Sequence, residues 1–266
     1  MKLVLEAKEI KQILAVSSGK GGVGKSTVSA NLAVALSREG YKTGILDVDV
    51  YGPSIPLLFG CEAMRPAMEG DMIVPVHKFG VELMSIGFFL LPGQPAIWRG
   101  AMATNAVKQL FTEVAWGALD YLIIDMPPGT GDVALTLAQN IPLTGAIIVT
   151  TPQDVALHDV RKTAAMFQHD DINIPILGVV ENMSWFAPQE LPENKYYIFG
   201  KDGGKNLAAE LGVPLLAQIP LIQSVAESGD KGTPAATYGE QPIAQSFMQL
   251  ADKVIETIEI LKYKPN

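Results

Sequence analysis

An α/β fold with a mostly parallel central sheet and helices on both faces is what the sequence predicts, from three observations. Short apolar runs of strand length alternate with helical patterns of about a dozen residues, the rhythm of repeated βαβ units. Most of these runs are apolar throughout rather than at every second residue, as strands covered on both faces must be. Finally, 48% of the 266 residues are hydrophobic and 18% charged, enough apolar material for a large core.

Ile13–Ser17 is the first strand. Ser26–Arg38 follows as a helix, with Val28, Leu32, Ala35 and Leu36 on one face and Gly40 placed to end it. Thr43–Val48 and Leu83–Ile86 read as strands. Between them, Glu62–Phe79 carries Pro66, Pro75 and alternating Met72, Val74 and Val76, the pattern of an antiparallel excursion or a loop. Helical Met102–Val114, strand Tyr121–Ile124, helical Val133–Asn140, strand Ala146–Thr150, helical Val155–Gln168 and strand Ile176–Val180 continue the alternation. Ala187–Tyr197, with Pro188 and Pro192, reads as an exposed loop. Leu207–Leu211 is helical and Leu215–Ile219 extended. A last helix over about Ile243–Leu261 sets Phe247, Leu250, Val254, Ile258 and Leu261 at helical spacing. No repeat, low-complexity linker or composition break divides the chain, so residues 1–266 are expected to form a single domain.

Composition excludes several functions. No apolar run approaches the roughly 18 residues of a transmembrane helix, and Met1–Lys11 holds no signal-peptide stretch, so a cytoplasmic protein without membrane contact is expected. A net charge of −8 argues against a broad nucleic-acid surface. The single cysteine, Cys61, excludes an intrachain disulfide and a four-thiolate metal site, and reads as a buried structural thiol. His77, His158 and His169 lack ligand spacing.

The chemistry concentrates in Gly19-Lys20-Gly21-Gly22-Val23-Gly24-Lys25-Ser26, which fits the phosphate-loop spacing G-x-x-x-x-G-K-[ST]. Glycines are needed because successive N–H groups must converge on phosphate oxygens without Cβ atoms in the way, and the helix that follows points its positive end at the same anion. Lys25 is suited to the β- and γ-phosphates and the Ser26 hydroxyl to Mg²⁺. Leu122-Ile123-Ile124-Asp125 is an apolar strand ending in a carboxylate fit for the metal's water shell. The glycines after it, Gly129 among them, let N–H groups meet the γ-phosphate, while Asp132 reads better as the N-cap of the next helix. Asp47 and Asp49, two apart at another strand end, would share a face. One can orient attacking water while the other supports the metal or Lys25; alone, the pair reads equally as turn and cap residues.

Lys20–Ser26 (K-G-G-V-G-K-S) resembles the deviant Walker A class of ATPases, in which the extra lysine, here Lys20, reaches across a homodimer to the partner's nucleotide. Without that resemblance Lys20 is as well read as a solvated lysine. With Lys20–Thr27 go Asp47–Ser54 (D-V-D-V-Y-G-P-S), Trp98-Arg99-Gly100, Asp125–Asp132 (D-M-P-P-G-T-G-D), Thr150–Gln153 and Glu181-Asn182-Met183-Ser184. Phe199, Gly200, Gly203, Gly204, Ser228-Gly229-Asp230, Gly232 and Pro234 extend the match from about Ile13 to Pro242. Together they resemble the Mrp/ApbC family of P-loop NTPases, iron–sulfur cluster carriers related to MinD, ParA and the nitrogenase iron protein. The resemblance implies an ATP- and Mg²⁺-dependent homodimer that serves apoprotein clients or cluster scaffold proteins. It implies nucleotide contacts from Gly19 through Thr27 and from Gly129, and metal support from Ser26, Asp47 and Asp125. It implies catalysis by Lys20, Lys25 and a water-orienting Asp49. Asn182 would read the adenine edge, with Ile219 and Pro220 near the base; by itself Asn182 reads as a turn residue after a strand. Arg99 acquires no chemical role.

One departure is informative. Family carriers place a C-x-x-C pair after E-N-M-S, two pairs holding a four-iron cluster across the dimer, whereas this chain has Trp185-Phe186-Ala187-Pro188-Gln189-Glu190-Leu191-Pro192. Nucleotide chemistry therefore carries over residue by residue and direct cluster binding does not. The expected function is an ATP-hydrolysing cluster carrier or assembly factor. The alternative is a MinD/ParA-like positioning or partner-binding switch without a cluster, disfavoured at a membrane by Asp252, Glu256 and Glu259 on the last helix. A nitrogenase-type reductase needs thiolates that this chain lacks.

Overall fold

The computed structural model describes residues 9–90, 100–188, 190–191, 193–239 and 241–263. Strands β1 (Ile10–Ser18), β2 (Thr43–Asp47), β6 (Val81–Ser85), β7 (Leu119–Asp125), β8 (Gly145–Thr150), β9 (Ile176–Phe186) and β10 (Leu215–Leu221) are the expected apolar runs, all paired in parallel. Between β2 and β6 the chain makes the anticipated antiparallel excursion. A hairpin of β3 (Ala67–Glu69) and β4 (Met72–Val74) stands apart, and β5 (Val76–Lys78) adds an antiparallel edge to β6. The main sheet has eight strands in the order β10-β9-β8-β1-β7-β2-β6-β5.

Helices α1 (Lys25–Arg38), α2 (Ile55–Leu58), α3 (Gly100–Thr112), α4 (Asp132–Asn140), α5 (Asp154–Gln168), α6 (Gly203–Leu211), α7 (Gln223–Asp230) and α8 (Pro242–Tyr263) fill the connections. The β1–α1–β2 crossover leads to one side of β1, while β8–α5–β9 and β9–α6–β10 lead to the other. Right-handed crossovers in opposite directions put α1 on one face and α5 and α6 on the other. Consistently, α1 packs on α8, and α5 packs on α6. The order of connections reverses at the β8/β1 boundary, where open α/β sheets bind ligands beyond the carboxyl ends of their strands. Phe59, Phe88, Phe167 and Phe247 are among the side chains sealed in the core.

The local signals mostly hold. Gly40 has φ of 90° just past the α1 C-cap, Glu39, as expected of a C′ glycine. On α8, Phe247, Leu250, Val254 and Ile258 are buried, so its apolar stripe is core. Asp132 is a correction: it is the first residue of α4, Gly131 holds the N-cap position, and no side chain caps it. The Asp132 carboxylate still favours the helix through its place in the first turn.

Two close approaches tie the C-terminal segment to the stretch after Asp49. A Cβ on Gly232 would overlap the backbone of Gly60, and one on Gly229 would stand 3.2 Å from Leu58. Asn31 Oδ1 accepts from the Ala236 N–H at 2.7 Å, fixing the same segment to α1.

Candidate nucleotide site

Residues 19–26 turn from the carboxyl end of β1 into α1. Gly22 and Gly24 have φ of 81° and 80°, a left-handed backbone that side chains rarely adopt. Gly19 is glycine for space, because a Cβ there would overlap the Asp159 and Val160 backbone of α5. A Cβ on Gly21 or Gly22 would meet no atom within 4 Å, so this part of the loop is open on its outer side.

Lys25 turns back from the first turn of α1 and is 6% exposed. Its Nζ stands 2.9 Å from Asp125 Oδ1, 3.5 Å from Asp49 Oδ2 and 3.2 Å from Ser26 Oγ. Burial works against its charge, but Asp125 and Asp49 outweigh that and hold its pKa above the ordinary lysine value. Sheet register assembles this cluster, since Asp125 is level with Val16 on β1 and Asp47 on β2, and Asp47 is level with Ser85 on β6.

Asp125 is fully buried and accepts from Ser26 Oγ and Ser29 Oγ, each at 2.6 Å. Asp47 is also fully buried. Its Oδ1 accepts from the Asp49 N–H at 3.1 Å, and its Oδ2 from the Ile55 N–H at 3.1 Å and Ser85 Oγ at 3.0 Å. Burial and the nearby Asp125 push its pKa up to about 7 against the pull of Lys25. β2 ends at Asp47, so strand alternation does not reach Asp49, and the two carboxylates have separate partners. Asp49 Oδ1 faces the Tyr51 and Gly52 N–H groups, both at 3.3 Å, and Oδ2 faces Lys25.

Other anticipated residues gather nearby. Gly129, with φ of 78°, gives its N–H to the Ser18 carbonyl at 2.7 Å rather than leaving it free for a phosphate. Asn182 Nδ2 donates to the Val23 carbonyl at 2.9 Å, and Asn182 pairs with Ile219 in the β9–β10 register. Ile219 is turned into the core and Pro220 is half-buried. Lys20 is partly exposed, and among the described residues its ammonium meets no carboxylate; its carbonyl accepts from Ser18 Oγ at 3.0 Å. Thr27 sits half-buried in the first turn of α1. Trp98 and Arg99 lie outside the described residues.

Ser29, Ser85 and Glu181 complete the surroundings, and motif reading did not assign them roles. Ser29 was detectable as the residue one helical turn after Lys25. Ser85 depends on strand register, which sequence does not print. Cys61 is 1% exposed, its Sγ 3.5 Å from the Pro56 carbonyl, and burial pushes its thiol up to about 11. Among the described residues no three His, Cys, Asp or Glu side chains are grouped to hold a metal. The 185–197 stretch instead stacks Lys195 Nζ 4.0 Å from the Trp185 ring centroid, with residues 190–191 and 193–197 exposed.

A glycine cradle at the switch point of a parallel sheet, with a buried lysine and strand-end carboxylates beneath it, defines a P-loop NTPase. The model of the ParA family, described as NUBPL iron-transfer P-loop NTPase, matches residues 9–255, and the chain belongs to that family. It is 50% identical over 255 residues to an iron–sulfur cluster carrier protein of Aquifex aeolicus, covering 94% of this chain and 69% of that one. The Escherichia coli K12 protein of the same description is 48% identical over 247 residues, covering 92% of this chain and 66% of its own length. An iron–sulfur cluster transfer protein NUBPL of Dictyostelium discoideum is 42% identical over 260 residues, covering 97% and 80%. Among solved structures, a nucleotide-binding protein of Archaeoglobus fulgidus in complex with ADP superposes with a TM-score of 0.77 at 37% identity, covering 90% of this chain and 93% of that one. MinD of Pyrococcus horikoshii with Mg-ADP, at 24% identity and a TM-score of 0.67 over 96% of this chain and all of that one, shares the fold.

Proposed function

We propose that the chain binds and hydrolyses ATP as a nucleotide-switched homodimer serving iron–sulfur cluster carriage or assembly. The observation that carries this reading is the Lys25 ammonium, buried beneath an open glycine cradle between Asp125 and Asp49. Residues 19–27 direct N–H groups at the phosphates, and Lys25 exchanges its carboxylates for β- and γ-phosphate oxygens. Ser26 would hold Mg²⁺ through its hydroxyl, with Asp125, which accepts from that hydroxyl, supporting it from beneath, and the ion would supply charge neutralisation at the phosphates. Asp49, at the rim and still 8% exposed, orients the attacking water. Asp47, with its carboxylate occupied by three donors, positions the 49–55 turn rather than touching the metal. Lys20 acts on the nucleotide of the partner subunit. Among the described residues Asn182 keeps its carbonyl oxygen and a second N–H without a partner, a donor–acceptor pair that matches adenine N6 and N7. Pro220 offers the base more surface than Ile219 does.

The cluster is cargo whose ligand thiolates reside on a client or scaffold protein, because the 185–197 stretch has none and Cys61 is buried. The same absence favours a second reading, a nucleotide switch that regulates a partner without any cluster. Calorimetry with Mg-ATP, single-turnover hydrolysis and sedimentation test the first reading. Micromolar or tighter binding, phosphate release and ATP-dependent dimerisation support it, and no binding of Mg-ATP overturns it. Transfer of a cluster between a thiol-bearing scaffold and an apoprotein, faster with ATP, separates carriage from the switch.

A further inference from the structure

Glu181, on β9, is a fully buried carboxylate held by neutral donors. Its Oε1 accepts from Ser184 Oγ at 2.6 Å and Gln218 Nε2 at 2.8 Å, and its Oε2 accepts from the Gly204 N–H at 2.5 Å. A buried charge is costly unless so paired, and Gly204 lies at the positive end of α6, which offsets part of that cost. Glu181 plays no part in the phosphate chemistry above, so these bonds serve something else.

The backbone beside it is irregular. β9 and β10 keep step at Glu181–Gln218 and Asn182–Ile219, but the next pair is Phe186–Leu221, four steps along β9 against two along β10. The surplus forms a bulge in which Met183 has φ of 54°, a strained value for a non-glycine residue. Ser184 and Glu181 bond across this bulge. At its start Asn182 is driven into the phosphate loop so tightly that a Cβ on Gly24 would overlap its amide. Ser184 and Gly204 also stand at the two ends of the 185–203 connection, so one carboxylate ties both ends together.

We infer that Glu181 is a positioning residue for nucleotide-base recognition. By closing the bulge from within, it sets the Asn182 amide against the phosphate loop, with one N–H given to Val23 and the other N–H and the carbonyl oxygen left for the base. This rests on the reading that Asn182 meets the base. Bulges beside sites commonly re-aim a side chain in this way.

The test compares calorimetric affinities for Mg-ATP and for Mg-tripolyphosphate, which has no base. Ser184→Ala and Glu181→Gln should each bind ATP about tenfold more weakly, the loss of one well-placed hydrogen bond, with tripolyphosphate affinity held within about twofold. Asn182→Ala should show the same pattern, and Asn182→Ala combined with Ser184→Ala should lose no more than Asn182→Ala alone. If Glu181→Gln fails to fold, Ser184→Ala and Gln218→Ala carry the comparison. Equal weakening of ATP and tripolyphosphate would make the network a general support of the phosphate loop and overturn the inference. So would undiminished ATP affinity in a folded Ser184→Ala. A wild-type chain that binds ATP no tighter than tripolyphosphate would instead remove the base reading itself, a result visible before any variant is made.

Discussion

Lys25 Nζ and Asp125 Oδ1 stand 2.9 Å apart, with side chains 6% and 0% exposed. The phosphate-loop lysine is therefore already paired in the nucleotide-free chain, so on the proposed reading binding would exchange carboxylate for phosphate. Lys25→Ala should weaken Mg-ATP binding by about a hundredfold or more and abolish hydrolysis. It also leaves Asp125 buried without its cation, so the nucleotide-free protein should lose about 3–5 kcal/mol in urea unfolding. Undiminished affinity in calorimetry would place the nucleotide elsewhere.

Asp49 touches the same ammonium more loosely, at 3.5 Å, and keeps some exposure. Asp49→Ala should retain Mg-ATP and hydrolyse it about a hundredfold or more slowly if the carboxylate helps to orient water. Lys20→Ala should slow hydrolysis while leaving monomer binding nearly intact. In mixtures of the two variants, a chain whose partner carries Lys20→Ala loses the trans lysine but keeps its own Asp49. Mixed rates that merely average the two parents would remove the cross-subunit role of Lys20.

The raised pKa of Asp47 fixes a pH dependence. The unfolded carboxyl titrates near 3.8 and the folded one near 7, so between these values the native state holds the extra proton. Asp47's contribution to stability is complete below about pH 4 and is lost as the pH rises to 7. Asp47→Asn cannot ionise, so wild-type stability should fall relative to this variant's as the pH rises from 5 to 8 in urea titrations. A gap independent of pH would mean that Asp47 stays ionised in the fold.

Anaerobic reconstitution with iron and sulfide should give no stable four-iron cluster on the isolated chain. The 185–197 stretch has no thiol, and Cys61 is buried with its pKa pushed up to about 11, which disfavours the thiolate a cluster needs. Cys61→Ser should behave like wild type. Four irons per dimer surviving gel filtration only with Cys61 intact would make that buried thiol a ligand, and survival in Cys61→Ser would demand ligands other than cysteine.

Legibility followed burial. Strands sealed on both faces, such as β7 and β8, announce themselves through unbroken apolar runs, Leu122–Ile124 in one and Ala146–Val149 in the other. The apolar run of β9 ends at Val180, where Glu181 and Asn182 look like a strand's polar end, yet the strand runs to Phe186 because the bulge and its hydrogen bonds satisfy those polar groups. α7 carries Gly229 near its end and one buried residue, Ser228, so it offers no apolar stripe to detect. At the site, the phosphate loop and the three aspartates were visible as motifs. That Asp47 is spent on Ile55 and Ser85, and Gly129 on Ser18, depends on register and turn geometry that local sequence does not encode.

The seam at Gly60 and Gly232 bears on how the molecule can be cut and rejoined. With no side-chain atoms between the two backbones, no intervening group can yield to let one slide past the other. The stretch carrying Asp49 thus borrows its rigidity from a segment near the far end of the chain. A truncation removing residues from about 228 onward would open this seam and also strip α8 from α1, taking Phe247, Leu250 and Val254 out of the core. Such a fragment is expected to lose folding and nucleotide binding together, rather than turnover alone.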